Sequence, residues 1–252
     1  MFAHLFRDSR FLVFYSTLLT VVFAVTTYTG YVGAAEGTGK PSEFDRIRVH
    51  RIDIVEPDGT PRLIISDRAQ YPGSFYHGRE IDRPDRRDSA GMLFINDEGT
   101  EDGGLIYGGA TTKGKRSSFS HLSFDQYEQD QTAVMETALF PDGSRTAGIE
   151  LSDRPDQSLT PEEIAEVEKI KDMPQGDARA AAWAGYQKKH PFGEKIASLL
   201  RDLDGSVGLS LRDQKGQVRL RLTVATDGEP SVELLDEKGQ MRRKISIENG
   251  GS

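Results

Sequence analysis

Residues 207–239, VGLSLRDQKGQVRLRLTVATDGEPSVELLDEKG, decide how this chain folds. Val218, Leu220, Leu222 and Val224 alternate with Arg219, Arg221 and Thr223, a period of two that puts one set of side chains on each side of an extended strand. The strand ends at Asp227-Gly228. The strands on either side reach Asp213-Gln214-Lys215-Gly216 and Asp236-Glu237-Lys238-Gly239. Aspartate bonds the backbone of a tight turn, and glycine accepts the conformation at its exit. Ile245 and Ile247 close the set.

The same device recurs upstream. Ile52 and Ile54 run into Pro57-Asp58-Gly59 and return through Arg62-Leu63-Ile64-Ile65-Ser66. Gly91-Met92-Leu93-Phe94-Ile95 meets Asn96-Asp97-Glu98-Gly99, followed by a strand at 103–109. Leu139-Phe140 leads into Pro141-Asp142-Gly143. Each is a hairpin signal. The spacing is too irregular for a solenoid. The expectation is a mainly β fold: an antiparallel meander packed as a sandwich or partly closed barrel. Residues 71–88 and 111–118 read as loops.

Residues 160–204 read as a helical insertion. Thr160-Pro161-Glu162-Glu163 is a capping box with proline at the first helical position, and Ile164, Val167 and Ile170 follow at helical spacing. DARAAAWAGYQKK (177–189) is alanine-rich, with Trp183 as its expected anchor. EKIASLLRDL (194–203) reads as a third helix.

At the other end, FLVFYSTLLTVVFAVTTYTGYVGA (11–34) carries no charge. About 24 helical residues span roughly 36 Å, enough for a hydrocarbon core of about 30 Å. Residues 1–10 are then a short tail, 11–34 a transmembrane helix, 35–43 a linker, and 44–252 a soluble β-rich domain carrying the insertion. Thr26 and Gly30 have the small-xxx-small spacing of paired membrane helices. Arg7 and Arg10 precede the run, which favours a cytoplasmic N-terminus and a β-domain on the non-cytoplasmic side. The alternative is a signal peptide cleaved near Ala35, giving a secreted protein.

Composition narrows the function classes. The formal net charge is −8; Arg7, Arg10 and Lys40 against Asp8 and Glu36 make the first 40 residues +1, leaving −9 on the rest. Nucleic acid is therefore not an expected partner, since phosphate binding needs a concentrated basic face. The expected partners are the lipid bilayer, through residues 11–34, and a protein or a second copy of the chain. There is no cysteine, which excludes disulfides, thiolate nucleophiles and cysteine metal sites. No cofactor is expected.

No segment matches a calcium loop, a phosphate loop, a zinc-protease helix or a nucleophile elbow. The turn aspartates read as turn caps. Gly103, Gly104, Gly108 and Gly109 flank Leu105-Ile106-Tyr107 rather than open a helix, and read as close backbone approach. His121, Asp125 and Glu128, in HLSFDQYEQD, raise a metal or catalytic question, with Glu128 on the opposite face from the other two if the segment is extended; the metal candidates are His121 and Asp125. His121 and Asp125 share a face if extended and stand one turn apart if helical. No catalytic or cofactor-binding residue is expected.

The blocks RIDIVEPDGTPRLIISD (51–67), GMLFINDEGTEDGGLIYGG (91–109) and HLSFDQYEQDQ (121–131) resemble a group of uncharacterised bacterial secreted or membrane-anchored proteins, over about residues 45–155. The resemblance implies no activity, ligand or site residue. The resulting expectation is a membrane-anchored envelope β-domain acting as a non-catalytic binding or assembly module. The alternatives are an anchored hydrolase acting on an envelope polymer, using paired carboxylates, and a small-ligand-binding barrel.

Overall fold

The computed structural model describes residues 9–35, 42–86, 89–190 and 193–247. The chain separates into two compact units, Met1–Arg48 and Val49–Ser252. Within the first, α1 (Ser9–Ala35) is a 27-residue helix. Its hydroxyls bond back to the preceding turn: Thr17 to the Val13 carbonyl, Thr20 to Ser16 and Thr27 to Phe23. Among the described residues, whose α1 side chains run from 12 to 28, no helix is long and apolar enough to cross a membrane. Helix formation over 11–34 is thus seen, and a membrane span is not. Residues 1–8 of the expected tail and 36–41 of the linker lie outside the described residues, while Ser9 and Arg10 belong to α1 and not to the tail.

The second unit is built on one antiparallel sheet of twelve strands. They are β1 (Arg51–Val55), β2 (Pro61–Ser66), β5 (Ala90–Ile95), β6 (Glu101–Thr112), β7 (Lys115–Asp125) and β8 (Gln131–Leu139). The order continues with β9 (Arg145–Ser152), β10 (Lys195–Arg201), β11 (Val207–Arg212), β12 (Val218–Val224), β13 (Pro230–Leu235) and β14 (Met241–Ser246). Spatial order follows chain order throughout, with β1 and β14 at the two edges. The meander is as expected, but the sheet is open. Neither a sandwich nor a barrel forms, because the alternating pattern sets which side chains share a face and leaves closure undetermined.

Eight of the eleven connections use one turn. The N–H of its first residue donates to the carbonyl of the fifth, and the N–H of the fourth donates to the carbonyl of the first, as in Asp236-Glu237-Lys238-Gly239-Gln240. The acid caps it: Asp236 Oδ1 accepts from the Lys238 and Gln240 amides at 2.9 Å each. Asp58, Asp142 and Asp204 are held below the usual carboxylate range by hydrogen bonds from Thr60, Ser144 and Ser206. Asp58, Asp142, Asp213, Asp227 and Asp236 are thus structural caps, while in the β5–β6 turn Asn96 takes that role and Asp97 pairs with Arg62. Gly239, at φ 72°, takes the left-handed exit position. The glycines beside Leu105 meet the expectation of close approach: a Cβ on Gly103 would lie 2.3 Å from the Ser123 carbonyl oxygen of β7.

Two excursions interrupt the meander. Between β2 and β5, residues 71–88 contain the small hairpin of β3 (Ser74–Tyr76) and β4 (Arg79–Ile81), paired with each other. Phe75 of β3 joins Ile64, Leu93 and Ile95 in the only buried apolar cluster among the described residues. Residues 111–118 are not a loop either: β6 and β7 run to their ends around Lys113-Gly114, both at positive φ.

Between β9 and β10 come α2 (Pro161–Lys171) and α3 (Asp177–Lys189). The capping box forms as read: the Glu163 amide donates to Thr160 Oγ1, and the Thr160 amide to Glu163 Oε2. The anchor of α3 is Tyr186, 1% exposed, rather than the half-buried Trp183. The third expected helix is strand β10. Leucine, alanine and lysine favour a helix in isolation, but here 195–201 pairs with β9 on one side and β11 on the other, and tertiary pairing overrides local propensity. The insertion is therefore only the excursion that leaves at Asp153 and returns at Glu194, where the two backbones exchange hydrogen bonds of 2.9 and 3.1 Å.

Candidate functional site

The two faces of the sheet differ in chemistry. On one face, Ile64, Leu93 and Ile95 lie under the β3–β4 hairpin. Toward the C-terminal edge the same face turns polar: Ser198, Ser210, Arg221, Glu233 and Lys244 are successive cross-strand partners. Arg221 and Lys244 pair with Glu233 at 3.2 and 3.6 Å.

The opposite face is apolar from edge to edge. One cross-strand row begins Ile52, Ile65, Met92, Leu105, Leu122, Met135. It continues Ile149, Leu199, Leu209, Leu222, Val232, Ile245. All twelve strands contribute an apolar side chain, and none of the twelve is buried. A parallel row two residues along is apolar up to Arg243 at the β14 edge, and includes Phe94, Phe124, Leu151, Leu211 and Leu234. Phe94 and Phe124 stack with centroids 6.1 Å apart. Leu199, Leu222 and Ile245 remain 48%, 38% and 53% exposed. At this end the face dishes into a groove of about 450 Å³, floored by Leu209, Leu222 and Val232. Monomeric proteins rarely leave contiguous apolar patches above a few hundred Å² uncovered.

A second concavity, of about 310 Å³, lies between the β3–β4 hairpin, the β7–β8 turn and the two helices. Asp125 lines it, as do Phe75 and Arg86 from the 71–88 segment. His121 does not: it sits within β7, its Nδ1 3.5 Å from Glu136 of β8. His121 and Asp125 therefore share no site, since four extended residues separate them by about 13 Å. Burial, then the charges of Glu101 and Asp130, push the Asp125 carboxyl up to about 8. Its Oδ1 is buried without a hydrogen-bond partner.

The other carboxylates of this cleft are engaged. Arg86 grips Glu101 with two hydrogen bonds, of 3.0 and 2.6 Å. Glu168 is held by Arg83 at 3.3 Å and Lys171 at 2.9 Å. A two-carboxylate mechanism needs one group to donate a proton while the other acts as base or nucleophile. Here Asp125 is the group pushed toward the protonated form, and its neighbours Glu101 and Glu168 are held by arginine and lysine.

Sequence reasoning found the alternation but not its most consequential product, the alignment of every strand's apolar set on one bare face. A scan against known protein families and a search of curated proteins give no match to this chain.

Proposed function

We propose that this protein is a membrane-anchored, non-catalytic assembly module whose apolar sheet face packs against the same face of a second copy. The single observation that carries this is the uninterrupted row from Ile52 to Ile245. Twelve strands at about 4.8 Å spacing and two outward-facing rows at about 6.8 Å per row give a face of roughly 800 Å², so a pair buries roughly 1,600 Å², the size of a standard stable interface. An identical sheet has an identical twist, so two copies stack in the aligned manner of β-sandwiches. Open sheets of this width usually pack against something.

The anchor is proposed on the charge-free run Phe11–Ala34, which extends beyond the described α1 side chains at both ends. Hydroxyls bonded back into the helix suit a lipid environment. Arginines ahead of the run favour export of the β-domain, and confinement to a membrane concentrates the copies. The test uses the absence of cysteine. A cysteine placed at Ile149, near the middle of the row, should cross-link two full-length copies in native membranes, and one at Ser210 on the opposite face should not. Equal cross-linking at both positions, or at neither, refutes the face-to-face pair. A reporter active only after export, fused to Ser252, checks orientation. Co-purifying lipid filling the groove of a monomeric protein would favour the ligand-binding reading.

A further inference from the structure

We propose that His77, Glu98 and Glu128 form a site for a divalent transition metal of the zinc type. They come from three separate turns: His77 from the β3–β4 tip, Glu98 from β5–β6, and Glu128 from β7–β8. One ligand atom from each lies within 4.8 Å of the other two. The imidazole directs Nε2 at Glu128 Oε1, 2.8 Å away, and Nδ1 toward Glu98 at 4.0 Å.

Tertiary bonds hold the three turns in place. The Gly78 amide donates to the Gly99 carbonyl at 2.9 Å, and the His77 amide to Thr100 Oγ1 at 3.0 Å. The Leu159 amide, just ahead of α2, donates to the Glu128 carbonyl at 2.7 Å. The Tyr127 hydroxyl donates to Glu98, orienting the more exposed carboxylate as outer ligands do in metal centres. That bond, first, pushes the Tyr127 phenol up to about 12. The Glu128 side chain is 9% exposed, a carboxylate withdrawn from water with an imidazole as its neighbour.

One neutral imidazole and two carboxylates bring two negative charges, matching a divalent cation. Zinc takes such nitrogen and oxygen donors at about 2.0–2.2 Å, with a fourth position left for water. Calcium and magnesium prefer all-oxygen shells of six or more ligands. The Nε2–Oε1 separation of 2.8 Å is that of a hydrogen bond and has to open by about 0.5 Å to match the edge of a tetrahedron around zinc, about 3.3 Å. Rotation of the Glu98 side chain, 54% exposed, closes the remaining gap.

The test is a calorimetric titration of the chelator-treated full chain with zinc chloride, repeated on variants. We expect one zinc per chain and a rise in melting temperature with added zinc. His77→Asn should weaken binding by about tenfold or more and abolish that rise. Asparagine before glycine suits the same tight turn, so the metal-free variant should melt like the parent. Glu128→Gln should weaken binding comparably. Glu163→Gln, whose carboxylate serves His190 in the helical excursion, should leave it unchanged. No zinc heat and no thermal shift in the parent overturns the proposal. So does undiminished binding in both His77→Asn and Glu128→Gln.

Discussion

Leu199→Glu tests the bare face most directly. Leu199 sits mid-row, flanked by Ile149 and Leu209, and is 48% exposed in a single copy. Half a leucine, about 80 Å², is worth about 2 kcal/mol when a partner covers it, at about 25 cal/mol per Å². Two-fold symmetry doubles this to about 4 kcal/mol per pair, about a thousandfold in Kd. Glutamate forfeits that contribution and adds the desolvation of a carboxylate with no partner, so dimerisation should vanish at micromolar protein. The single copy should tolerate the change, because half the residue already faces water and a strand still pairs on each side. Sedimentation equilibrium of the full chain in mild detergent reads the association, and circular dichroism confirms the retained sheet. Ser210→Glu, on the opposite face, is the control. A Leu199→Glu variant that is folded yet dimerises with the parent's Kd would refute the face-to-face pair, including the case where α1 alone drives association.

Asp125 should make stability fall as pH rises. Its folded carboxyl titrates at about 8 against the 3.8 of an ordinary aspartate, so between those values the folded state keeps a proton that the unfolded chain has lost. The contribution is intact below about pH 4 and fully lost above about pH 8; denaturant midpoints of Asp125→Asn should lose most of that slope and exceed the parent's at pH 8. Deleting residues 156–191 with a short Gly-Ser bridge should preserve the sheet by circular dichroism, because Asp153 and Glu194 are already hydrogen-bonded. Deleting 160–204 should abolish cooperative unfolding, because it removes β10. Gly239→Val should destabilise by about 1–2 kcal/mol in a chemical melt, through backbone conformation alone, since a Cβ there meets nothing within 4 Å.

The hairpins were legible because their chemistry is local. Alternation at Val218–Val224, acids that cap turns, and glycines that take the left-handed exit all act within a few residues. The capping box of α2 was legible for the same reason. The misread segment at 194–203 contained its own correction: Asp202-Leu203-Asp204-Gly205-Ser206 is the same five-residue turn as at 236–240, and it marks the preceding residues as a strand.

The candidate sites were not legible, because each depends on separations the sequence does not encode locally. Asp125 was singled out beside His121, yet its significance comes from Glu101 and Asp130 and from the helices that cover the cleft. His77, Glu98 and Glu128 lie on three turns with no ligand spacing between them. The sequence by itself determined the strands, the turns and the side of each strand that is apolar, since these follow from a two-residue period and from short-range hydrogen bonding. Only the tertiary structure decided that the sheet stays open, that 195–201 joins it, and that twelve apolar sets line up on one uncovered face. Those outcomes depend on how strands pair at long range and on how twist accumulates across the sheet, and no window of a few residues contains that information.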